Sequence, residues 1–163
     1  MTLHTGDGFA NRFEIERTAG SGGMGTVYRA RDKLSGQPVA LKLLHGQADD
    51  LHKSDAERFA REAQLLSELR HPGIVAHVAH GQTLQGQRFL AMEWLDGEDL
   101  AQRLARGPLP LGEALPLIQR IADALAFAHQ RGIIHRDIKP TNLFLPGGIS
   151  TASRSSTSAL RGG

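Results

Sequence analysis

Gly20-Ser21-Gly22-Gly23-Met24-Gly25-Thr26-Val27-Tyr28 is the stretch on which the architecture turns. Its first six residues fit G-x-G-x-x-G, a spacing that unrelated folds share and that is weak evidence alone. In a doubly wound parallel sheet the last glycine opens a helix. Here β-branched and aromatic residues follow, so the chain re-enters a strand and the glycines form the tip of a hairpin. Phe13 and Ile15 alternate with polar residues upstream, which places a strand on the near side of the loop. Glycines at such a tip let backbone close over a bulky anion with no side chain in the way.

Working outward, Ser35-Gly36-Gln37-Pro38 is a turn, and Val39 to Leu44 is a third strand, apolar except at Lys42. Ser54-Asp55-Ala56-Glu57 has the spacing of a capping box, and Phe59, Ala63, Leu66 and Leu69 continue it as one face of a helix that Pro72-Gly73 ends. Short strands are expected near Ile74–Val78 and Arg88–Glu93. The pattern then turns helical. Glu98–Arg106 is a short helix, and residues near Gly112–Gln130 form a longer one whose broad apolar face carries Leu115, Ile118, Ala122, Leu125 and Ala126. Residues 1–11 read as a disordered lead-in.

The composition is that of a soluble globular chain: 163 residues, 40% hydrophobic and 22% charged. A net charge of +2 and few aromatics give no footing for nucleic acid. With no cysteine, disulfides and thiolate metal sites are excluded. No apolar run is long enough to span a membrane, and the polar start lacks a signal-peptide core, so cytoplasmic localisation is expected.

His135-Arg136-Asp137-Ile138-Lys139-Pro140-Thr141-Asn142 carries the chemistry. An acid, a cation and a carboxamide two and three residues apart suit phosphoryl transfer. Asp137 can accept the proton of an attacking hydroxyl, Lys139 can neutralise the moving phosphoryl group, and Asn142 can hold a metal ion. A solvated loop with scattered charges is the plain alternative for any one of them. Lys42, in a strand otherwise apolar, must find an anion or lose its charge unless it lies at an exposed edge.

The string H-R-D-x-K-P-x-N resembles the catalytic loop of protein kinases, and Lys139-Pro140 points to the Ser/Thr branch. Val39-Ala40-Leu41-Lys42 resembles the V-A-x-K of the same family, and Met92-Glu93-Trp94-Leu95 its hinge. Gly-Gly-Met-Gly with Val-Tyr-Arg-Ala-Arg-Asp, and the run Ala128-His129 to Asp137, look most like the eukaryotic-like Ser/Thr kinases of bacteria. The resemblance covers about Phe13 to Leu145.

It implies an α+β, two-lobed fold: a small lobe over 12–94 with a five-stranded antiparallel sheet and one helix, and an incomplete helical large lobe over 95–148. It implies ATP and Mg2+ as cofactors and a protein Ser/Thr hydroxyl as acceptor. Gly20, Ser21, Gly22, Gly23, Met24 and Gly25 would cover the phosphates, and Lys42 would bind the α- and β-phosphates and pair with Glu62, with Glu57 the alternative by spacing. Val27, Ala40 and Phe144 would line the adenine, and backbone at Glu93 and Leu95 would meet its edge. Ala19 stands where the family usually has Leu or Ile, which loosens that contact. Met92 would guard the back of the pocket. Asp99 is either a ribose contact or simply a first-turn helix acid. His135 and Arg136 read as scaffold, the arginine gripping a phosphorylated segment in the family.

Downstream of Leu145 the chain departs from the pattern: no Asp-Phe-Gly and no Ala-Pro-Glu follow. Residues 149–163 are Ser-rich and without acids, a composition expected to be disordered. Back-translation with permitted codons and one G restored after Gly147-Gly148 can spell Asp-Ile-Asp-Arg-Val-Lys-Val-Leu-Asp-Phe-Gly-Ile-Ala-Arg in the neighbouring frame. The hypothesis is that a single-base deletion in a G run, or a sequencing slip, cut a longer kinase short, and the coding DNA tests it. On this reading the chain ends short of a full domain, which leaves the apolar face of helix 112–130 open to a partner chain. Two other functions then compete with the active enzyme: a catalytically inactive kinase remnant that binds nucleotide, and a non-enzymatic interaction module.

Overall fold

The structure is a computed structural model that describes residues 2–22, 25–44, 64, 67–135 and 138–147, with 159–160 as backbone. It divides into two compact units, 1–68 with 77–94, and 69–76 with 95–163.

The first unit is an antiparallel sheet of β1 (Gly8–Phe9), β2 (Phe13–Gly22), β3 (Gly25–Asp32), β4 (Pro38–Leu44), β5 (His77–Gln82) and β6 (Arg88–Glu93). Their order across the sheet is β1-β2-β3-β4-β6-β5. Alternation decides the faces. Phe13 and Ile15, Tyr28 and Ala30, Val39, Leu41 and Leu43, and Phe89 and Ala91 point one way and form the core. Phe89 is met edge-on by Phe9 at 5.2 Å and by Phe13 at 5.9 Å between ring centroids. The opposite face carries Val27, Ala40, Lys42, Leu90 and Met92, as the pairings Val27↔Lys42, Lys42↔Leu90 and Ala40↔Met92 require.

The sheet has six strands, not five, and residues 2–11 are not a disordered lead-in. Leu3 and Phe9 are buried in the core, β1 pairs with β2, and the backbone N–H of Leu3 donates to the Tyr28 hydroxyl at 3.2 Å. The strand expected near Ile74–Val78 begins later, at His77, because Ile74 packs with the second unit. The expected helix after Ser54 falls mostly outside the described residues, as do Ser54, Glu57 and Glu62, although positions 64 and 67–68 are helical.

The second unit holds β7 (Gly97–Asp99), helix α1 (Leu100–Leu104), helix α2 (Leu111–His129), a 3-10 turn (Pro140–Asn142), β8 (Leu143–Pro146) and β9 (Ala159–Leu160). Strands β7, β8 and β9 form one antiparallel sheet. Ala159 and Leu160 are therefore strand, which corrects the reading of 149–163 as wholly disordered; the remainder of that tail lies outside the described residues. Leu100, Leu117, Ala124, Leu143 and Leu145 form the core, with Ile74, Leu109, Ile121 and Leu125 against it.

Helix α2 turns a different stripe inward from the one expected. Leu117, Ala124 and Ala128 are buried, while Leu115 and Ile118 are 52% and 59% exposed and Ala122 and Ala126 are exposed too. Both stripes recur at helical spacing; Leu117 and Ala124 join the core with Leu143 and Leu145, and of the expected stripe Leu125 packs against it. Among the described residues, no helix is long and apolar enough to cross a membrane.

Candidate functional site

The glycine stretch is a hairpin. Ser21 pairs with Thr26 and Gly22 with Gly25; Gly23 and Met24 lie outside the described residues. The Ser21 and Thr26 hydroxyls are 3.1 Å apart across the two strands.

The three motif glycines are not equivalent. A Cβ on Gly25 would sit 2.2 Å from the carbonyl oxygen of Leu43, so the close approach of β3 to β4 demands glycine there. A Cβ on Gly20 or Gly22 would meet nothing within 4 Å, and neither residue has a positive φ. The fold itself gives no reason for glycine at those two positions. Ala19 is exposed and unpaired, in a bulge between the pairs Thr18↔Tyr28 and Gly20↔Val27.

Behind the hairpin, Val27, Ala40 and Lys42 share the face opposite the core. Lys42 is half-buried and Ala40 buried. Met92, buried, lies beside Ala40 across the β4–β6 pairing. Glu93 pairs with Val39, and the N–H of Trp94 donates to the Pro38 carbonyl at 3.4 Å. Sequence reading passed over what steadies this strand end. The guanidinium carbons of Arg17 and Arg29 each lie 5.3 Å from the Trp94 ring centroid. Arg29 also reaches a Glu16 carboxylate oxygen at 2.9 Å. No spacing rule links positions so far apart; the tryptophan after Met92-Glu93 was the available signal.

In the second unit, Lys139 is extended and exposed, Pro140 opens the 3-10 turn with its φ already set, and Asn142 closes it, half-buried. The Asn142 N–H donates to the Lys139 carbonyl at 2.9 Å. Phe144 is buried in β8 and pairs with Asp99 of β7. Asp99 accepts from the Gln102 N–H at 2.8 Å, while the Gln102 side chain accepts from the Asp99 N–H at 3.1 Å. This capping box makes Asp99 the N-cap of α1, just ahead of its first turn. Beside it, hydrogen bonds from Arg106 hold the Glu98 carboxyl below its usual range. Gly97 has φ +143, and a Cβ there would meet the Leu145 carbonyl oxygen at 2.2 Å. Thus Lys139, Asn142, Phe144 and Asp99 share one unit with Leu95, and the hairpin, Val27, Ala40, Lys42 and Glu93 share the other. Asp137, Arg136 and Glu62 lie outside the described residues.

Comparison with known proteins agrees with this arrangement. Residues 13–149 match the protein kinase domain family. The chain is 48% identical over 136 residues to serine/threonine-protein kinase pkn2 of Myxococcus xanthus, covering 82% of this chain and 16% of that protein. It is 38% identical over 163 residues to serine/threonine-protein kinase PrkC of Bacillus subtilis, covering 93% of this chain and 25% of that one. The crystal structure of the Mycobacterium tuberculosis PknI kinase domain superposes with a TM-score of 0.82 at 33% identity, over 98% of this chain and 62% of that one. The chain thus spans a quarter or less of these two curated relatives. On the family match over 13–149, with the glycine hairpin and Lys42 strand in the expected order, the chain belongs to the protein kinase family.

Proposed function

We propose that the chain carries the nucleotide lobe and catalytic loop of a protein Ser/Thr kinase, which moves the γ-phosphoryl group of ATP to a protein hydroxyl. The observation that carries this reading is the pair Gly20 and Gly22, whose missing side chains no packing contact explains. Bare backbone at a hairpin tip suits N–H groups that must approach a polyphosphate closely.

Lys42 neutralises the α- and β-phosphates, with Glu62 holding its ammonium in place. Val27, Ala40 and Phe144 supply apolar surface to the adenine, and the backbone at Glu93 and Leu95 its hydrogen bonds. The short Ala19 leaves the adenine roof open. Asp137 takes the proton of the substrate hydroxyl as its oxygen attacks phosphorus, and Lys139 stabilises the charge that develops on the equatorial oxygens. The carboxamide oxygen of Asn142 is a hard donor of the kind Mg2+ accepts. The bound ion supplies charge neutralisation at the phosphates.

The test is phosphate transfer from radiolabelled Mg-ATP to a generic basic protein, with Asp137→Asn as the control. Transfer that the substitution abolishes supports the proposal. Nucleotide-dependent thermal stabilisation without transfer reduces it to nucleotide binding, and absence of both overturns it.

A further inference from the structure

On the edge strand β5, Nε2 of His77 and Nδ1 of His80 lie 2.9 Å apart, with ring centroids at 5.0 Å. Residues three apart on a regular strand point to opposite faces. A register shift between His77 and Ala79 changes that: His77 pairs with Met92 and His80 with Leu90, two residues that share one face of β6. The bulge therefore aims both imidazoles to the same side, and both are half-exposed.

We propose that His77 and His80 form a two-nitrogen chelate for a late first-row divalent ion, Cu2+ or Ni2+. Two imidazole nitrogens bound cis at about 2.05 Å and a right angle are about 2.9 Å apart, the separation already present. Tetrahedral coordination would need about 3.3 Å, so the pair favours ions that accept tetragonal geometry. Among the described residues no cluster of three or more potential ligands forms, so the proposed chelate is these two nitrogens alone. The site is separate from the proposed nucleotide residues yet on their face. Lys42 pairs with Leu90, and Leu90 with His80, which puts the two side chains in one cross-strand row about 10 Å apart. The plain alternative is an imidazole pair joined by one hydrogen bond, one ring donating and the other accepting.

Titration of the unmodified chain with Cu2+ at neutral pH, followed by NMR of assigned imidazole resonances, separates the two. Assignment matters because the chain has eight histidines. The site predicts paramagnetic broadening of His77 and His80 within the first equivalent. It also predicts at least tenfold weaker binding in His77→Gln and in His80→Gln. Broadening that starts at other histidines and spares this pair overturns the proposal, as do folded variants that keep the parent affinity. If a variant fails to fold, the resonances of the unmodified chain decide.

Discussion

Arg12 grips the buried carboxylate of Asp32 with two parallel hydrogen bonds, Nε to Oδ1 and Nη2 to Oδ2, both 2.8 Å. The same carboxylate accepts from the Leu34 N–H and the Ser35 hydroxyl, so one side chain organises the β3–β4 turn and ties it to the chain entering β2. The Arg12 hydrogen bonds, then those from Leu34 and Ser35, hold the Asp32 carboxyl well below the usual carboxylate range. Arg12→Ala strands that charge and is expected to cost about 3 kcal/mol, read from urea unfolding. Because the folded pKa lies below the unfolded value near 4, this contribution is full above about pH 5 and fades as pH falls toward the depressed value. The stability gap between parent and Arg12→Ala should therefore shrink below about pH 4. A gap constant from pH 7 to pH 3 would contradict the coupling.

The glycines of the hairpin offer a separation of fold from function. Gly25→Ala drives a methyl into the Leu43 carbonyl and should destabilise by about 2 kcal/mol or more. Gly20→Ala and Gly22→Ala meet open space, so stability should change by no more than about 0.5 kcal/mol. On the proposed function, nucleotide affinity falls about tenfold in both. Equal losses of stability at all three positions would show that the distinction is wrong.

Phe9 provides a test of the extra strand. It is 2% exposed and meets Phe89 edge-to-face. Phe9→Ala should cost about 3–4 kcal/mol, the usual range for emptying a buried aromatic site. A loss below about 1 kcal/mol in denaturant would mean that β1 is not part of the folded core.

The parts of the fold that were legible in the sequence are those in which one local period decides burial. The alternation of Phe13 and Ile15, the apolar run Val39–Leu44 broken at Lys42, and the β-branched entry after Gly25 were enough for the three strands around the hairpin. Leu3 and Phe9 escaped because they are isolated among Gly, Asp and Thr, and their burial depends on a sheet face built far downstream. Helix α2 was legible as a helix but not in its orientation, since two apolar stripes fit the period and only tertiary contact chooses between them. The His77–His80 contact needs a bulge, which breaks the very alternation used to find strands. For the site, type and order of residues were readable from short motifs, whereas Asp99 as a helix cap and the Trp94 clamp needed three-dimensional neighbours.

Trp94→Ala removes the ring that two guanidinium groups face. Each contact at a partly exposed site contributes about 0.5–1 kcal/mol, so a loss of about 1–2 kcal/mol is expected. Because Glu93 precedes Trp94 at the end of β6, nucleotide affinity should fall as well on the proposed function, while Trp94→Phe should restore most of both. Amide exchange at Glu93 that matches the parent in Trp94→Ala would remove the argument that the clamp steadies this strand end.

Lys42→Met and Asp137→Asn divide binding from chemistry. Lys42 lies on a sheet face with Val27 and Leu90 as its cross-strand neighbours, and methionine keeps the length and apolar stem of the side chain without its charge. If the ammonium serves the phosphates, Lys42→Met weakens nucleotide binding and transfer together. Asp137→Asn keeps the size and shape of the side chain but replaces one carboxylate oxygen with an amide donor and removes the base, so transfer should drop by about 10²–10⁴-fold with little change in nucleotide affinity. Single-turnover kinetics beside equilibrium nucleotide titration distinguish the two signatures. Identical loss of affinity in both variants would assign Asp137 to positioning rather than proton transfer.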